Sequence, residues 1–251
     1  VLNHQSVPLP SNVSFVVSNT LVGAHKNESA AHNYNRRVIE CRLATALLAK
    51  HLLKTVLSEY HTLHWLQENL SPTDDSSLSA MIGYCDRYLT SDEYSLQDVA
   101  NELNLGSVDE VRERYFGSIV LANEQCFKLR QRSVHVFSEA KRVLDAVSLL
   151  SNLETASNEA QVTAAQRFGQ LMNESHQSCK ELFECSCTEL DELTSFARSR
   201  PGCLGSRLTG AGWGGCCVSL VRHSDLRQFL DDVWQFYYEG DRGHARDVIR
   251  E

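Results

Sequence analysis

A long helical pattern at residues 34–54 is apolar on more than one side. One face carries Val38, Cys41, Leu48 and Leu52, and another carries Ile39, Leu43, Ala46 and Leu53. Because an amphipathic surface helix needs only one apolar stripe, this pattern predicts a helix that is buried on more than one side. Hydrophobic residues make up 42% of the 251 residues, which is enough to bury a core around such a helix.

The remaining patterns are mostly helical, with strand-like runs near both ends of the chain. They predict a strand at 14–22, short helices within 56–117, helices at 122–150, 158–173, 175–185 and 189–199, a strand at 216–221 and a helix at 224–238. Ser95 and Ser107 are each followed three positions later by an acidic residue, which predicts helix N-termini of the capping-box type. The order of elements indicates an α+β fold that is predominantly helical.

The charge balance and the hydropathy exclude two classes of partner. With 24 Lys and Arg against 32 Asp and Glu, the net charge is −8, which argues against a nucleic-acid binder that relies on electrostatics. No run of about 18 apolar residues occurs, so we expect no membrane-spanning helix. We therefore predict neither nucleic acid nor membrane as a partner, and the sequence does not indicate an oligomeric state.

The two ends of the chain indicate that it is part of a longer protein. It begins at Val1 without a basic segment preceding an apolar run, so no secretory signal is visible, and residues 243–251 stop in a charged stretch. Nine cysteines, an odd number in a chain of this length, predict reduced thiols and a cytoplasmic location.

The densest group of thiols predicts no metal site. It comprises His176, Cys179, Cys185 and Cys187, in the order H-x2-C-x5-C-x-C. This spacing is not one of the common zinc patterns, and the residues fall in a predicted helical segment. We interpret them as buried or partly buried thiols, with zinc as the alternative.

A glycine-rich loop at Gly210–Gly215 satisfies the pattern G-x-G-x-x-G. A dinucleotide site would need a helix after it, whereas residues 216–221 are strand-like, and a P-loop would need a lysine that is absent. Two interpretations remain, namely a hairpin link between residues 206–209 and 216–221, or a site where a phosphate approaches backbone N–H groups. Four glycines in six residues exceed what a hairpin needs, which favours the phosphate.

The loop belongs to a longer motif. The segment Leu204–Cys216 (LGSRLTGAGWGGC) resembles the third signature motif of galactokinases, which are members of the GHMP small-molecule kinase superfamily. Further segments resemble N-acetylgalactosamine kinases more specifically: 35–44, 132–140, 171–176 and 184–191. The matches follow one order over about residues 14–238.

The resemblance implies that residues 1–251 form the C-terminal region of such a kinase. That region is a small antiparallel sheet faced by helices, with a helical insertion that residues 56–117 fit. The family's first motif with its catalytic arginine, its Gly/Ser-rich phosphate loop and its aspartate base have no counterpart here. We therefore assign no catalytic residue to this chain and expect it to be inactive alone.

The activity that the resemblance implies is transfer of the ATP γ-phosphate to the C1 hydroxyl of N-acetylgalactosamine or galactose. The partners would be the sugar and ATP, with Mg2+ held by ligands in the part of the protein that precedes this chain. A second reading is a non-catalytic, galactokinase-like sensor of sugar and ATP that binds a regulator. Both readings place a sugar and a nucleotide beside this chain.

Three groups of site residues follow from the family's motifs. Tyr34 matches the aromatic position that touches the sugar in galactokinases, where N-acetylgalactosamine kinases usually have Phe; its alternative is a helix-start tyrosine exposed to water. Lys26 fits the cation of an Asn-Lys pair beside the nucleotide, although His25 departs from that pair and a solvated loop lysine is the alternative. The residues that match the loop beside the ATP phosphates are Gly210, Ala211, Gly212, Gly214 and Gly215.

Overall fold

The computed structural model describes residues 6–22, 33–70, 76–121, 126–151, 153 and 156–239. The chain divides into two compact units. We call Val1–Ala24 with Arg142–Glu251 the sheet unit, and His25–Lys141 the helical unit. The predicted insertion at 56–117 lies within the helical unit, which extends beyond it on both sides, and its role as an insertion stays a prediction.

The described residues form three strands and nine α-helices. The strands are β1 (Val13–Asn19), β2 (Cys203–Thr209) and β3 (Cys216–Arg222). The helices are α1 (Asn35–Leu52), α2 (Leu63–Glu68), α3 (Leu78–Tyr88), α4 (Leu96–Leu103), α5 (Val108–Tyr115), α6 (Leu129–Leu150), α7 (Asn158–Glu181), α8 (Thr188–Arg198) and α9 (Leu226–Val233). The predicted α+β class, predominantly helical with a small antiparallel sheet, is confirmed.

The helical unit is built around α1. This helix contacts α2, α3, α4 and α5, and seven of its apolar residues are fully buried: Ile39, Leu43, Ala44, Ala46, Leu47, Leu48 and Ala49. The prediction that it is buried on more than one side is therefore correct. Ser95 and Ser107 both cap helices, accepting the N–H groups of Asp98 and Glu110. The predicted capping box is complete at Ser95, whose N–H donates to Asp98, whereas Glu110 accepts the N–H of Gly106 instead.

The sheet unit contains one antiparallel sheet with the strand order β1-β3-β2. Residues Val13–Asn19 pair with Arg222–Cys216, so the first strand of the chain joins a strand near its other end. Helices α7 and α8 contact β2, and α8 and α9 contact β3. The buried side chains between sheet and helices include Val16, Leu208, Val221, Leu190, Leu193 and Phe229. Helices thus face the sheet, as predicted.

Helix α7 lies directly against strand β2 because two glycines meet at their interface. A Cβ atom built on Gly205 would lie 2.1 Å from the carbonyl oxygen of Gly169, and one built on Gly169 would lie 2.3 Å from the carbonyl oxygen of Leu204. No side chain fits at either position. The close contact fixes the distance between the helix and the strand that leads into the glycine loop.

Two predicted helix boundaries are wrong, and tertiary contacts explain both. Helix α6 begins at Leu129 rather than at 122, because Phe127 exchanges backbone hydrogen bonds of 2.8 and 2.9 Å with Tyr94 in an extended bridge. Helix α7 runs without a break through the predicted boundary near 174. Polar side chains in this part of α7 find hydrogen-bond partners in β2: Asn173 Oδ1 accepts the N–H of Ser206 at 2.9 Å. Within the described residues, no helix is both long and apolar enough to cross a bilayer.

Candidate functional site

The glycine loop, Gly210–Gly215, connects β2 to β3 and has an unusual backbone. Thr209 and Cys216 are the last paired residues of the two strands. Five of the six loop residues have φ in the left-handed region: Gly210 (82°), Gly212 (88°), Trp213 (54°), Gly214 (134°) and Gly215 (78°). Glycine adopts this region without a steric penalty. The backbone conformation of the loop therefore explains why it contains so many glycines. The loop is the hairpin link that one interpretation of the sequence predicted.

The middle of the loop is anchored on the turn that follows α7. The N–H of Trp213 donates to the carbonyl oxygen of Cys185 at 2.7 Å, and its indole Nε1–H donates to that of Glu184 at 3.1 Å. A Cβ atom built on Gly212 would lie only 1.9 Å from the Cys185 oxygen. Gly212 is therefore required by contact with the protein itself, and its presence alone does not indicate a ligand.

The end of the loop is anchored on the segment after β1. Gly215 donates its N–H to the carbonyl oxygen of Val22 at 3.1 Å, and its own carbonyl oxygen accepts from the N–H and Oγ1 of Thr20 at 2.8 and 2.7 Å. The hydroxyl of Tyr237 in turn donates to the carbonyl oxygen of Thr20 at 2.9 Å. Both anchors lie within the sheet unit, so the loop is preformed there.

Four backbone N–H groups of the loop have no acceptor among the described residues, but only those of Gly210 and Ala211 belong to exposed residues, since Gly212 and Gly214 are buried. Those of Gly210, Ala211, Gly212 and Gly214 donate no hydrogen bond to any other residue that the structure describes. Gly210 and Ala211 are exposed, and a Cβ atom built on Gly210 would meet nothing within 4 Å. Successive free N–H groups in left-handed and turn conformations form concave sites for anions. This part of the loop has the donors and the open space that a phosphate group needs.

The turn that holds Trp213 is itself fixed to two helices. The N–H of Cys185 donates to the carbonyl oxygen of Cys179 in α7 at 2.9 Å. Ser186 Oγ donates to Asp191 Oδ1 of α8 at 2.7 Å, and Lys180 Nζ lies 2.8 Å from Asp191 Oδ2. Burial alone would raise the pKa of Asp191, but the hydrogen bonds from Lys180 and Ser186 hold it below its usual range.

His176 occupies the interior of the same region and links α7 to β2 and α8. Its Nδ1 accepts the N–H of Leu208 at 3.2 Å, so we assign the proton to Nε2, which lies 3.0 Å from Thr194 Oγ1 and 3.3 Å from Asp191 Oδ1. Burial, aided by the positive charge of Arg198, lowers the pKa of His176 to about 4. Both ring nitrogens are thus engaged by the protein.

The cysteines that the sequence groups with His176 therefore have separate structural roles. Cys185 Sγ donates to the carbonyl oxygen of Cys179 at 3.5 Å, and Cys185 and Cys187 lie outside the helix that the sequence predicted for them. Within the described residues, no group of three or more His, Cys, Asp or Glu side chains is placed to hold a metal ion. All nine cysteines are free thiols, and burial raises the pKa of Cys217 to about 12 and that of Cys203 to about 11.

The neutral state of His176 predicts a pH dependence of stability. Its pKa is lower in the folded protein than in the unfolded chain, so the unfolded state binds the extra proton between about pH 6.5 and 4. The free energy of unfolding should therefore fall as the pH falls through this window, by up to about 1.4 kcal/mol per pH unit from this residue. His176→Asn, which can still accept the Leu208 N–H, should show a shallower decline in urea unfolding of the full-length protein.

The control for this experiment is His64→Asn. The His64 side chain is 76% exposed and, among the described residues, makes only a surface pair with Glu68, so the stability curve of this variant should follow that of wild type. Parallel stability curves for wild type and His176→Asn between pH 4 and 6.5 would contradict the prediction.

Tyr34, the residue matched to a sugar contact, lies in the helical unit. It immediately precedes α1 and is 54% exposed. The first turn of α1 is held by Glu40, which is fully buried and accepts hydrogen bonds from Arg37 Nη1 at 2.7 Å and Arg132 Nε at 2.9 Å. Its other oxygen accepts the backbone N–H of Lys128 at 3.0 Å. Tyr34 therefore projects from a firmly held helix end.

The structure brings only some of the predicted site residues together. Gly210, Ala211, Gly212, Gly214 and Gly215 share one loop of the sheet unit, whereas Tyr34 belongs to the helical unit. His25 and Lys26 lie outside the described residues. Sequence reasoning missed the carbonyl groups of Glu184 and Cys185, since a backbone acceptor leaves no signal in the residue type.

Comparison with known proteins is consistent across three kinds of match. Residues 149–240 match the family model described as GHMP kinases C terminal. The galactokinase of Dictyostelium discoideum is 39% identical over 246 residues, covering 92% of this chain and 47% of that protein. The galactokinase of Saccharomyces cerevisiae is 38% identical over 232 residues, covering 83% and 43%.

A solved structure shows the same similarity in three dimensions. The crystal structure of Lactococcus lactis galactokinase complexed with galactose matches with a TM-score of 0.54 and 25% identity, over 92% of this chain and 42% of that one. The chain thus spans less than half the length of the curated relatives named above.

Proposed function

Because this chain belongs to the galactokinase family of the GHMP kinases, we propose that the full-length protein transfers the γ-phosphate of ATP to the C1 hydroxyl of galactose. The main support is the preformed glycine loop, in which the N–H groups of the exposed residues Gly210 and Ala211 donate to no other described residue. The relatives named galactokinase favour galactose over N-acetylgalactosamine. The second sugar stays an alternative that an assay can distinguish.

The role proposed for the loop follows from the chemistry of phosphoryl transfer. Negative charge spreads over the phosphate oxygens in the transition state, and fixed N–H donors stabilise such charge without having to reorganise. The loop is held by Trp213 and Gly215, so its donors are oriented before a ligand arrives. Bound Mg2+ would neutralise phosphate charge, and the proposal assigns its ligands to the rest of the full-length protein.

The remaining site assignments rest on the family motifs. We propose that Tyr34 contacts the sugar, an assignment that its exposed position at a held helix end supports. We also propose that Lys26, with His25 beside it, lies near the nucleotide. The proposal places the protein in the cytoplasm, in keeping with nine free thiols.

We expect the isolated 251 residues to have no kinase activity. The family's catalytic arginine, Gly/Ser-rich loop and aspartate base have no counterpart in this sequence, and loss of a single such group typically lowers the rate by about a hundredfold or more. The measurement is ADP release by purified residues 1–251 with ATP, Mg2+ and galactose, alongside a mock purification. Sugar-dependent ADP release above that control would contradict the expectation.

The experiment that tests the function uses the full-length protein. It is incubated with ATP and Mg2+ and with either galactose or N-acetylgalactosamine, while ADP release is followed and the product is identified by phosphorus NMR. We expect a sugar 1-phosphate from galactose. If ATP and galactose raise the melting temperature but no product forms, the protein is a sensor rather than a kinase, and preferential turnover of N-acetylgalactosamine would reverse the choice of sugar.

A further inference from the structure

Trp213 differs from the rest of the glycine loop because it is its only large side chain. It is held at two points, by its backbone N–H on Cys185 and by its indole Nε1–H on Glu184. The two acceptors are carbonyl groups of consecutive residues, so the indole and the peptide of Trp213 are fixed together on one turn. Its ring also packs against the buried core of the sheet unit.

This arrangement is more than a link between two strands requires. A hairpin can be closed by two residues, whereas here six residues lie between Thr209 and Cys216. Both Trp213 and Glu184 have left-handed φ, 54° and 52°, although neither is glycine. Residues in such strained conformations persist only where the surrounding structure imposes them, and they cluster at functional sites. Two strained residues joined by a hydrogen bond therefore point to a role beyond connection.

The hydrogen bonds of Trp213 lie between the two other points at which the loop is held. Gly215 is held separately by Thr20 and Val22, and Thr209 is held by the sheet. Between these points, the hydrogen bonds of Trp213 are the only ones that the described residues make to hold residues 210–214. Gly212 lies close to the same turn, since a Cβ atom built on it would lie 1.9 Å from the Cys185 carbonyl oxygen.

We propose that Trp213 is a positioning residue, whose indole hydrogen bond to the Glu184 carbonyl holds the exposed N–H groups of Gly210 and Ala211 in place for a phosphate of the nucleotide. This inference rests on the proposed function. The turn at 184–185, which holds Trp213, is itself fixed by Cys179 of α7 and Asp191 of α8. Residues outside the glycine motif therefore set the geometry of the loop.

The test is Trp213→Phe in the full-length protein, which keeps an aromatic ring and the backbone bond but removes the indole donor. The matched control is Trp234→Phe, since Trp234 also loses one indole hydrogen bond, to Glu239 at 2.9 Å, at an exposed position away from the loop sequence. Turnover is normalised to the folded fraction, and the dissociation constant for ATP is measured by titration.

We expect Trp213→Phe to lower kcat/KM for ATP by about five- to tenfold, the scale of one lost hydrogen bond, with the KM for the sugar changed less than about twofold. Trp234→Phe should stay within about twofold of wild type in every parameter. A merely structural role would lower the melting temperature but leave the activity of the folded fraction unchanged.

The outcomes separate this inference from the function on which it rests. If the wild-type protein phosphorylates sugar and folded Trp213→Phe has the same kcat and KM for ATP, the inference fails and the function stands. If the wild type binds ATP without turnover, a five- to tenfold weaker ATP dissociation constant in Trp213→Phe still supports the positioning role. If the wild type neither binds ATP nor turns over sugar, both the function and the inference are wrong.

Discussion

Replacing Glu40 with alanine should lower the free energy of unfolding of the full-length protein by about 3–5 kcal/mol. The carboxylate is fully buried and accepts hydrogen bonds from Arg37 and Arg132, whose side chains are 8% and 1% exposed. Its removal takes a carboxylate partner from two buried positive charges, and desolvated charges that lose a partner are costly. The link from α1 to the backbone N–H of Lys128 would be lost as well.

The measurement is urea unfolding followed by circular dichroism, with Glu113→Ala as the control. Glu113 is an exposed residue on a helix of the same unit, so this change should cost less than about 0.5 kcal/mol. Glu40→Gln, which keeps one acceptor oxygen but no charge, should fall between the two. A loss for Glu40→Ala no larger than that for Glu113→Ala would show that the buried cluster contributes little to stability.

If the proposed function holds, Gly212→Ala should lower kcat/KM of the folded full-length protein by at least about tenfold, which corresponds to about 1.4 kcal/mol of transition-state stabilisation. The new Cβ would lie 1.9 Å from the Cys185 carbonyl oxygen, at a residue whose φ is 88°. Since the turn at Cys185 is fixed, the loop has to move, and a displacement of about 1 Å at a reacting group can cost roughly a hundredfold in rate. Stability should also fall, by about 1–3 kcal/mol.

Two further glycines separate the possible causes of such a loss. Gly83→Ala in α3 introduces a Cβ with nothing within 4 Å and no left-handed φ, so it should leave both stability and turnover near wild type. Gly210→Ala has the left-handed φ of 82° but no collision with the protein, so it isolates backbone strain. Near-normal turnover by the folded fraction of Gly212→Ala would mean that the loop is only a link between strands.

The parts of the fold that sequence patterns predicted are those governed by local periodicity. The helix at 34–54 was predictable because its apolar positions repeat with the helical period over five turns. The start of α6 was not, since the competing structure is a bridge between Phe127 and Tyr94, which are distant in sequence. The unbroken course of α7 likewise depends on β2, whose Ser206 N–H satisfies a polar side chain of the helix.

In the candidate site, too, the sequence indicated some features, whereas others are visible only in the structure. The density of glycines marked the loop, but the distinction between Gly212, which faces the Cys185 carbonyl, and Gly210, which faces open space, exists only in three dimensions. Tyr34 was indicated by family resemblance rather than by any physical pattern. The zinc alternative for His176 lost its basis once the structure showed what each ring nitrogen contacts.

The pairing of β1 with β3 has a consequence for the synthesis of the protein. The strand Val13–Asn19 pairs with Cys216–Arg222, and the Tyr237 hydroxyl reaches Thr20 across 217 residues of sequence. At about 5–20 residues per second, the ribosome needs roughly 10–40 s to make the intervening chain, and β1 has to wait that long for its partner. The helical unit, His25–Lys141, emerges complete during this interval and can fold first. Although β1 is made before the two other described strands, it stays unpaired until β3 emerges, and until then its Val- and Phe-rich residues form an open strand that chaperones can cover.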